Sequence, residues 1–289
     1  MSQQGTAGRG GGASRPSTRP VRLGRPPAVL LVPAALAALL LVVPVVALVV
    51  AAPWGTLAER LASQAVGEAL AISLGTSLAT VLVCLLLGTP LAWVLARLDL
   101  PGLGLLRALV AVPLVLPPVV AGVALVTAFG RTGVVGAPLR EAFGLTLPYT
   151  TAGVVLAHVF CAMPFYVLSV EGALRSAGER CDAVAATLGA SRWYAFRRVV
   201  LPLAVPGVLA GCVLAWARSL GEFGATITFA GNFPGTTQTM PSLVYTALQA
   251  DADDARALAL VLLAVSLAVL AGLRHRWLDP LRGHRRERA

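Results

Sequence analysis

Long apolar runs, separated by short polar segments, occupy most of the chain. The first run covers residues 28 to 53, and five others lie near residues 69 to 96, 106 to 129, 150 to 171, 203 to 224 and 255 to 273. A helix needs about 20 apolar residues to cross the hydrocarbon core of a bilayer. The pattern therefore predicts an all-α integral membrane protein with six transmembrane helices.

The amino-terminal segment is polar and basic. Residues 1 to 27 contain five arginines and no acidic residue, and they are rich in Gly, Pro and Ser, a composition typical of disordered segments. A basic segment before an apolar run also occurs in cleaved signal peptides, whose apolar core is only about 7 to 15 residues long. The length of the 28 to 53 run favours a retained signal-anchor helix.

The arginine positions predict the orientation of the spans. Six spans place both termini on one side of the membrane. The segments on that side carry 18 arginines, whereas the opposite loops carry four, namely Arg60, Arg131, Arg140 and Arg256. Because cytoplasmic segments are enriched in basic residues, both termini are expected to be cytoplasmic. We expect a disordered cytoplasmic tail at 1–27, a six-span transmembrane domain at 28–275 and a short basic cytoplasmic tail at 276–289.

The composition excludes several functions. The chain is 57% hydrophobic and 12% charged, whereas soluble domains carry about 25% charged residues. All 23 basic residues are arginines, so neither a P-loop nor a lysine Schiff base can form. Any ATP that drives this protein must be bound by another subunit. The net charge of +10 reflects arginines that flank the spans, not a nucleic-acid-binding surface.

Catalytic and metal-binding motifs are missing from the sequence. The widely spaced cysteines form no Cys-x-x-Cys pair, and they are Cys84, Cys161, Cys181 and Cys212. Neither a disulfide framework nor a metal site is indicated. His-Glu-x-x-His and Gly-x-Ser-x-Gly motifs are also absent, which argues against an intramembrane enzyme. We expect no cofactor. The sequence also shows no separate soluble domain that would carry the output of a scaffold or sensor.

The loop from 172 to 201 is rich in helix-forming residues and divides at Gly189. The pattern predicts a helix from Asp182 to Leu188, a stop at Gly189 and a second helix capped by Ser191. One face of the second helix carries Trp193, Phe196 and Val200. This pattern indicates an amphipathic hairpin at the cytoplasmic face. A helix that rests on lipid headgroups shows the same residue types.

Residues 182 to 202 resemble the signature loop of ABC importer permeases. The positions that match at the family's spacing are Ala185, Gly189, Val199, Leu201 and Pro202. The family's glutamate, six residues before the glycine, is Ala183 here, and Asp182 stands one position earlier. A carboxylate displaced by one helical position points about 100° away.

The resemblance implies the architecture of an ABC importer type I permease. In that family the loop is the coupling helix, which inserts into a groove on a cytoplasmic ATPase. ATP hydrolysis then occurs on a separate subunit, and the permease is not itself an enzyme. The implied ATPase-coupling residues are Asp182, Ala185, Gly189, Arg192, Trp193, Val199, Leu201 and Pro202.

The fifth span ends in two charged residues, Arg218 and Glu222, that stand one helical turn apart. Ionisable residues inside a span indicate a functional site, although an ion pair that neutralises both residues is an alternative. Glycines on both sides of Glu222 favour local unwinding. The threonine hydroxyls beyond are neutral donors suited to an oxyanion, and an exposed loop explains them almost equally well. The candidate pathway residues are Arg218, Ser219, Gly221, Glu222, Gly224, Thr226 and Thr228.

The run from 218 to 245 resembles the permeases of molybdate ABC importers. The resemblance lies in the elements Ser-Leu-Gly-Glu-Phe-Gly-Ala-Thr-Ile-Thr-Phe and Pro-Gly-x-Thr-Gln-Thr. It implies a homodimer of this permease, two copies of a cytoplasmic ABC ATPase and an extracytoplasmic molybdate-binding protein at the cell membrane. Permeases for sulfate, thiosulfate or tungstate are alternatives. An ion-coupled secondary transporter is another, but it would need acidic residues on several spans.

Other polar residues within or near the spans carry weaker signals. His158 is expected to be packed and hydrogen-bonded rather than to relay protons, and Glu171 is expected to be solvated. Three acidic residues are expected to cap the sixth span rather than to dock a partner, namely Asp251, Asp253 and Asp254. Small residues recur every fourth position and predict close helix packing within the bundle, or a subunit seam, at Gly207, Gly211, Ala215 and Ser219.

Overall fold

A computed structural model describes residues 28–187, 191, 194 and 196–286. All regular secondary structure in these residues is helical, which confirms the predicted all-α fold. Four described helices are long and apolar enough to cross a membrane, namely Val29–Val50, Gln64–Arg97, Thr151–Ser176 and Leu201–Leu220. They correspond to the predicted first, second, fourth and fifth spans.

The chain divides into two compact units, residues 1–47 and 48–289. Most of helix α1 (Ala28–Val50) lies in the first unit, and it contains Pro33 and Pro44. The predicted tail at residues 1–27 lies outside the described residues, so the predicted domain boundaries remain predictions.

After α1, the second unit continues with a short helix, α2 (Leu57–Leu61), and then the second span. This span consists of α3 (Gln64–Val83), a π-helical turn (Cys84–Gly88) and α4 (Thr89–Arg97). Pro90 lies in the first turn of α4. Because a proline has no N–H to donate to the preceding turn, the wider turn forms just before it.

The predicted third span, residues 106 to 129, is divided into two shorter helices. They are α5 (Leu103–Val115) and α6 (Pro118–Phe129). Between them, Leu116 and Pro117 have extended backbone angles, with ψ of 129° and 138°. Both residues precede a proline, and that position disfavours the helical conformation. Two successive prolines therefore end one helix and begin the next.

Helix α7 (Gly136–Phe143) is short, and α8 (Thr151–Thr187) is the longest helix described. It contains the predicted fourth span and continues into the predicted coupling loop. Asp182 therefore lies inside α8, so the prediction that it begins a separate helix is wrong. The residues from Arg175 to Asp182 contain no proline, and a helix already formed extends more readily than a new one nucleates.

The remaining helices complete the bundle. A π-helical turn (Phe196–Val200) leads into α9 (Leu201–Leu220). Then follow α10 (Gly224–Ala230), α11 (Met240–Ala250) and α12 (Ala252–Arg286). The predicted sixth span, residues 255 to 273, lies within α12.

Helix α8 is the centre of the packing, in contact with α3, α4, α5, α6, α9 and α10. Its pairing with α9 uses the small-residue face predicted from the sequence. Gly207 lies against Ala173, and the hydroxyl of Ser169 donates a 3.0 Å hydrogen bond to the carbonyl of Gly207. A Cβ atom at Gly211 would lie 3.1 Å from the ring of Tyr166. The interpretation of this face as a packing surface within the bundle is confirmed.

Candidate functional site

The site is centred on an ion pair at the end of α9. Arg218 Nη1 lies 2.5 Å from Glu222 Oε2, and the Glu222 side chain is 1% exposed. The predicted pairing one helical turn apart is confirmed. The pair brings no net charge into the interior, which makes the burial of both groups less costly.

The helix is interrupted at the predicted position, since the residues from Gly221 to Phe223 connect α9 to α10 without helical structure. The second carboxylate oxygen of Glu222 accepts a 2.9 Å hydrogen bond from the backbone N–H of Ala225. Glu222 thus satisfies one of the free N–H groups at the start of α10. The carboxylate joins the end of one helix to the beginning of the next.

Gly224 is needed because α10 approaches α6 closely. A Cβ atom at Gly224 would lie 2.7 Å from Pro118 Cβ and 3.2 Å from the backbone nitrogen of Val119. Gly221 is not crowded in this way, since only the carbonyl of Ala217, at 3.7 Å, is near its Cβ position. Gly224 therefore has a steric role, whereas neither the space around Gly221 nor its φ of -92° requires a glycine.

The hydroxyl groups of the candidate pathway differ in their bonding. Ser219 donates to the carbonyl of Trp216 at 2.9 Å, and Thr228 donates to the carbonyl of Gly224 at 2.7 Å. Within the described residues, the buried hydroxyl of Thr226 has no hydrogen-bond partner. Thr226 is therefore the one of these three hydroxyls whose donor is not committed to its own helix.

The polar residues from Thr236 to Thr239 form the turn before α11. The hydroxyl of Thr237 accepts a 2.9 Å bond from the N–H of Phe233, and the carbonyl of Thr236 accepts one of the same length from Thr151. Thr237, Gln238 and Thr239 are buried, so the alternative of an exposed loop is wrong for these three. Their observed role is structural.

A polar face on α3 was missed by the sequence analysis. Its buried residues are Ser73, Thr76, Ser77 and Thr80. Ser73 Oγ accepts a 2.7 Å hydrogen bond from the backbone N–H of Met240. The spacing of these residues matches one helical face, and that pattern was the available signal.

His158 lies on α8 and is 1% exposed. Neither of its ring nitrogens has a hydrogen-bond partner among the described residues. The prediction of a packed side chain is confirmed, but the prediction of a hydrogen-bonded one is wrong. A partner would have to come from a helix packed against α8, and none of the described residues supplies one.

Glu171 is 4% exposed, so the prediction that it is solvated is wrong. Its Oε1 lies 3.0 Å from Arg107 Nε and 2.9 Å from Arg175 Nη2. The two arginines replace water around the carboxylate and allow its burial.

Asp251 caps α12, as predicted, whereas the side chains of Asp253 and Asp254 form ion pairs with Arg256 and Arg60. Asp251 Oδ1 accepts a 2.9 Å bond from the backbone N–H of Asp253. Asp251 also pairs with Arg60 at 2.8 Å, and Arg60 pairs with Asp254 as well. The hydrogen bond from Arg60, together with that from Asp253, lowers the pKa of Asp251. The hydrogen bonds that Arg60 donates to Asp251 and Asp254 raise the pKa of Arg60.

The predicted coupling residues are only partly described. Asp182 and Ala185 lie on the backbone of α8, Val199 lies in the π-helical turn, and Leu201 and Pro202 begin α9. The predictions for Gly189, Arg192 and Trp193 fall outside the described residues. Pro202 fits the first turn of a helix, where its missing N–H is not needed.

Among the described residues, no group of three or more His, Cys, Asp or Glu side chains is arranged to hold a metal ion. The described part of the site contains one ion pair, Arg218 with Glu222, and one uncommitted hydroxyl, that of Thr226.

Residues 88–284 match the family model described as "Binding-protein-dependent transport system inner membrane component". The match covers more than half of the chain. The protein therefore belongs to this family of multi-pass membrane permeases in ABC transport systems.

Molybdenum permeases are among its relatives. The chain is 46% identical to the molybdenum transport system permease protein ModB of Mycobacterium tuberculosis, over 80% of this chain and 87% of the relative. It is 42% identical to ModB of Escherichia coli, over 73% of this chain and 92% of the relative. It is also 41% identical to the sulfate transport system permease protein CysT of Escherichia coli, over 63% of this chain and 66% of the relative.

A solved structure supports the fold. It is that of a bacterial ABC transporter involved in the import of the acidic polysaccharide alginate, with a TM-score of 0.71 and 19% sequence identity. The match covers 86% of this chain and 93% of the solved chain. This similarity confirms the predicted permease fold.

Proposed function

We propose that this protein is the transmembrane subunit of an ATP-driven importer of molybdate. It passes the anion from an extracytoplasmic binding protein across the cell membrane by alternating access. The observation that carries this proposal is the 41–46% identity to molybdenum permeases along most of their length.

The working assembly contains a homodimer of this permease, two copies of a cytoplasmic ABC ATPase and the binding protein. The absence of lysine supports a separate ATPase, because a P-loop requires one. The family description supports dependence on a binding protein. The distribution of arginines supports two cytoplasmic termini.

Coupling to the ATPase uses the segment between α8 and α9. Helix α8 ends at this segment and α9 begins after it. Contacts between small residues pack the two helices together. A displacement of the segment by the ATPase therefore moves the two helices as a unit. The predicted coupling residues, from Asp182 to Pro202, supply the contact surface.

The anion path uses the group around Arg218 and Glu222. In the described conformation Arg218 is neutralised by Glu222, and Thr226 offers an uncommitted hydroxyl. A group with little net charge binds a dianion weakly, which suits a path that must release its cargo. High affinity is then supplied by the binding protein. Ser219, Gly221, Gly224 and Thr228 shape this group.

The test measures intracellular molybdenum and tungsten by mass spectrometry, together with uptake of labelled sulfate. Cells with the chain, without it, and with it restored are compared at trace molybdate. We expect deletion to lower molybdenum and leave sulfate uptake unchanged. If deletion lowers only sulfate uptake, the importer is a sulfate permease.

Sulfate or thiosulfate import is the second candidate, supported by the identity to CysT. Tungstate import is tested by the same measurement. Ion-coupled secondary transport is less well supported by the described residues. The buried carboxylates of Glu171 and Glu222 are both paired with arginines, so neither is free to bind a coupling ion.

A further inference from the structure

The imidazole of His158 is a buried polar group that the proposed pathway does not yet use. It is 1% exposed, and both ring nitrogens lack a hydrogen-bond partner among the described residues. Buried polar side chains are nearly always hydrogen-bonded, so an exception indicates a specific role. A neutral imidazole carries one N–H donor, and here that donor is not satisfied by the protein.

The pairing of α8 with α9 places His158 beside the ion pair. The two helices run antiparallel, with Gly207 against Ala173 and Gly211 against Tyr166. Continuing this register by two turns brings Ser219 opposite His158. Arg218 interacts electrostatically with His158, which agrees with this placement.

Cys161 confirms the orientation of this part of α8. It lies three residues after His158 and therefore on nearly the same face. Its thiol interacts electrostatically with both Glu222 and Arg218. Cys161 also packs in a buried cluster with Ala225 of α10. The face of α8 that carries His158 is thus turned toward the junction of α9 and α10.

We propose that His158 is a direct contact for the transported oxyanion, which its N–H binds beside Arg218 when the pathway opens. This inference rests on the proposed function and extends the site from α9 and α10 to α8. The chemistry is that of a tetrahedral dianion, which has four acceptor oxygens and accepts hydrogen bonds from neutral donors. Thr226 supplies a second uncommitted donor in the same region.

A neutral donor has an advantage at this position. Arg218 is already paired with Glu222, and a further fixed positive charge would hold a dianion too firmly for release. An imidazole N–H gives direction and selectivity for an oxyanion without adding that charge. His158 is therefore suited to a transient contact.

The experiment uses the full complex of permease, ATPase and binding protein in proteoliposomes. It measures oxyanion imported per ATP hydrolysed for wild type and for His158→Leu and His158→Gln. Leucine removes the N–H, whereas glutamine retains an amide donor. We expect His158→Leu to lower the ratio at least about tenfold, the lower end of the effect of one hydrogen bond to a charged group. His158→Gln is expected to keep most of the wild-type ratio of oxyanion imported per ATP hydrolysed.

Val167→Ala is the control for a purely structural role. Val167 is fully buried on α8, so its truncation is expected to lower stability but not the transport ratio. If His158→Leu does not reach the membrane, His158→Met replaces it, because methionine fills irregular space without an N–H donor. An unchanged ratio in the variant without a donor overturns the proposal, and so does an equal loss in His158→Gln.

The measurement is made with molybdate, tungstate and sulfate. If the complex imports sulfate and not molybdate, the substrate proposal fails, but the ratio for sulfate still tests His158. If molybdate is imported and the ratio does not depend on the N–H, the substrate proposal stands and the role of His158 is refuted.

Discussion

The guanidinium of Arg107 holds the buried carboxylate of Glu171, with 3.0 Å between Nε and Oε1. Arg107 also donates to the backbone carbonyl of Leu95 at 3.0 Å, and Arg175 donates to the same carbonyl at 3.3 Å. One carboxylate and two arginines thereby join α4, α5 and α8 near the predicted cytoplasmic ends of these helices.

Replacement of Glu171 by alanine is expected to weaken this junction. The variant leaves two arginines without their carboxylate, but both are more than one-third exposed and water screens them. The expected loss is therefore about 1 kcal/mol rather than the larger cost of a fully buried pair. Thermal unfolding in detergent measures it. Glu141→Ala removes an exposed carboxylate and is the control, and equal stability of the two variants would contradict the prediction.

Gly122→Ala is expected to push α6 away from α10. The new Cβ atom would lie 2.5 Å from Thr228 Cβ and 3.1 Å from the carbonyl oxygen of Ala225. Such overpacking costs about 1–3 kcal/mol. Gly75→Ala is the matched control, because nothing lies within 4 Å of its Cβ position. Thermal stability of the two variants is compared, and a loss as large in Gly75→Ala would argue against the steric explanation.

Ser73→Ala is expected to remove a hydrogen bond between α3 and the start of α11. The buried N–H of Met240 would lose its acceptor, at a cost of about 1–3 kcal/mol. Ser77→Ala on the same helix serves for comparison, since the Ser77 hydroxyl bonds only to the carbonyl of Leu74. Denaturation of the purified variants in detergent measures the stability of each. We expect Ser73→Ala to be less stable than Ser77→Ala.

Acid is expected to release the contact between α2 and α12. Arg60 lowers the pKa of Asp251 from its usual 3.8. The contact therefore contributes fully to the stability of the folded protein above pH 3.8. This contribution is lost as the pH falls through the lowered pKa of Asp251. The raised pKa of Arg60 keeps the contact intact up to strongly alkaline pH. Thermal stability from pH 6 to pH 3 is measured for wild type and Asp251→Asn.

The acid sensitivity at this contact depends on the carboxylate. Asp251→Asn should therefore show a smaller fall in stability with acid than wild type, and a slightly lower stability at neutral pH. Identical acid profiles for the two proteins would show that Asp251 is not the titrating group responsible.

Gly189→Val is expected to uncouple the permease from its ATPase. The sequence predicts that Gly189 ends a helix in the left-handed conformation, which is unfavourable for a β-branched residue. Uptake of oxyanion should fall to the background level while the protein still reaches the membrane. Gly172→Ala provides a control, because nothing lies within 4 Å of its Cβ position. Uptake by Gly189→Val at the wild-type rate would rule out the coupling assignment.

The all-α fold and the Arg218–Glu222 pair were predictable because both depend on local features. Apolar runs determine the helices, and a spacing of four residues places two charges together on a helix. The break at Leu116 was also encoded locally, in the adjacent prolines that follow it. The hydropathy pattern concealed this break because the residues around it are equally apolar.

The errors at Glu171 and His158 have a different cause. Glu171 is buried because Arg107, from another helix, reaches it, and sequence spacing does not report such pairs. The lack of a described partner for His158 depends on the three-dimensional register between α8 and α9. Both features depend on which faces of separate helices meet, and a single sequence does not specify this.

The length of α8 converts a small tilt into a large displacement of its ends. From His158 to Asp182 the helix extends about 36 Å at about 1.5 Å per residue. The ion pair of Glu171 with Arg107 lies about halfway along this stretch. With a pivot there the helix acts as a lever, and a tilt of about 10° shifts points about 18 Å from the pivot by about 3 Å. A shift of that size exceeds the range over which a hydrogen bond survives. A modest push at the ATPase would therefore be enough to make or break the contact between His158 and an anion.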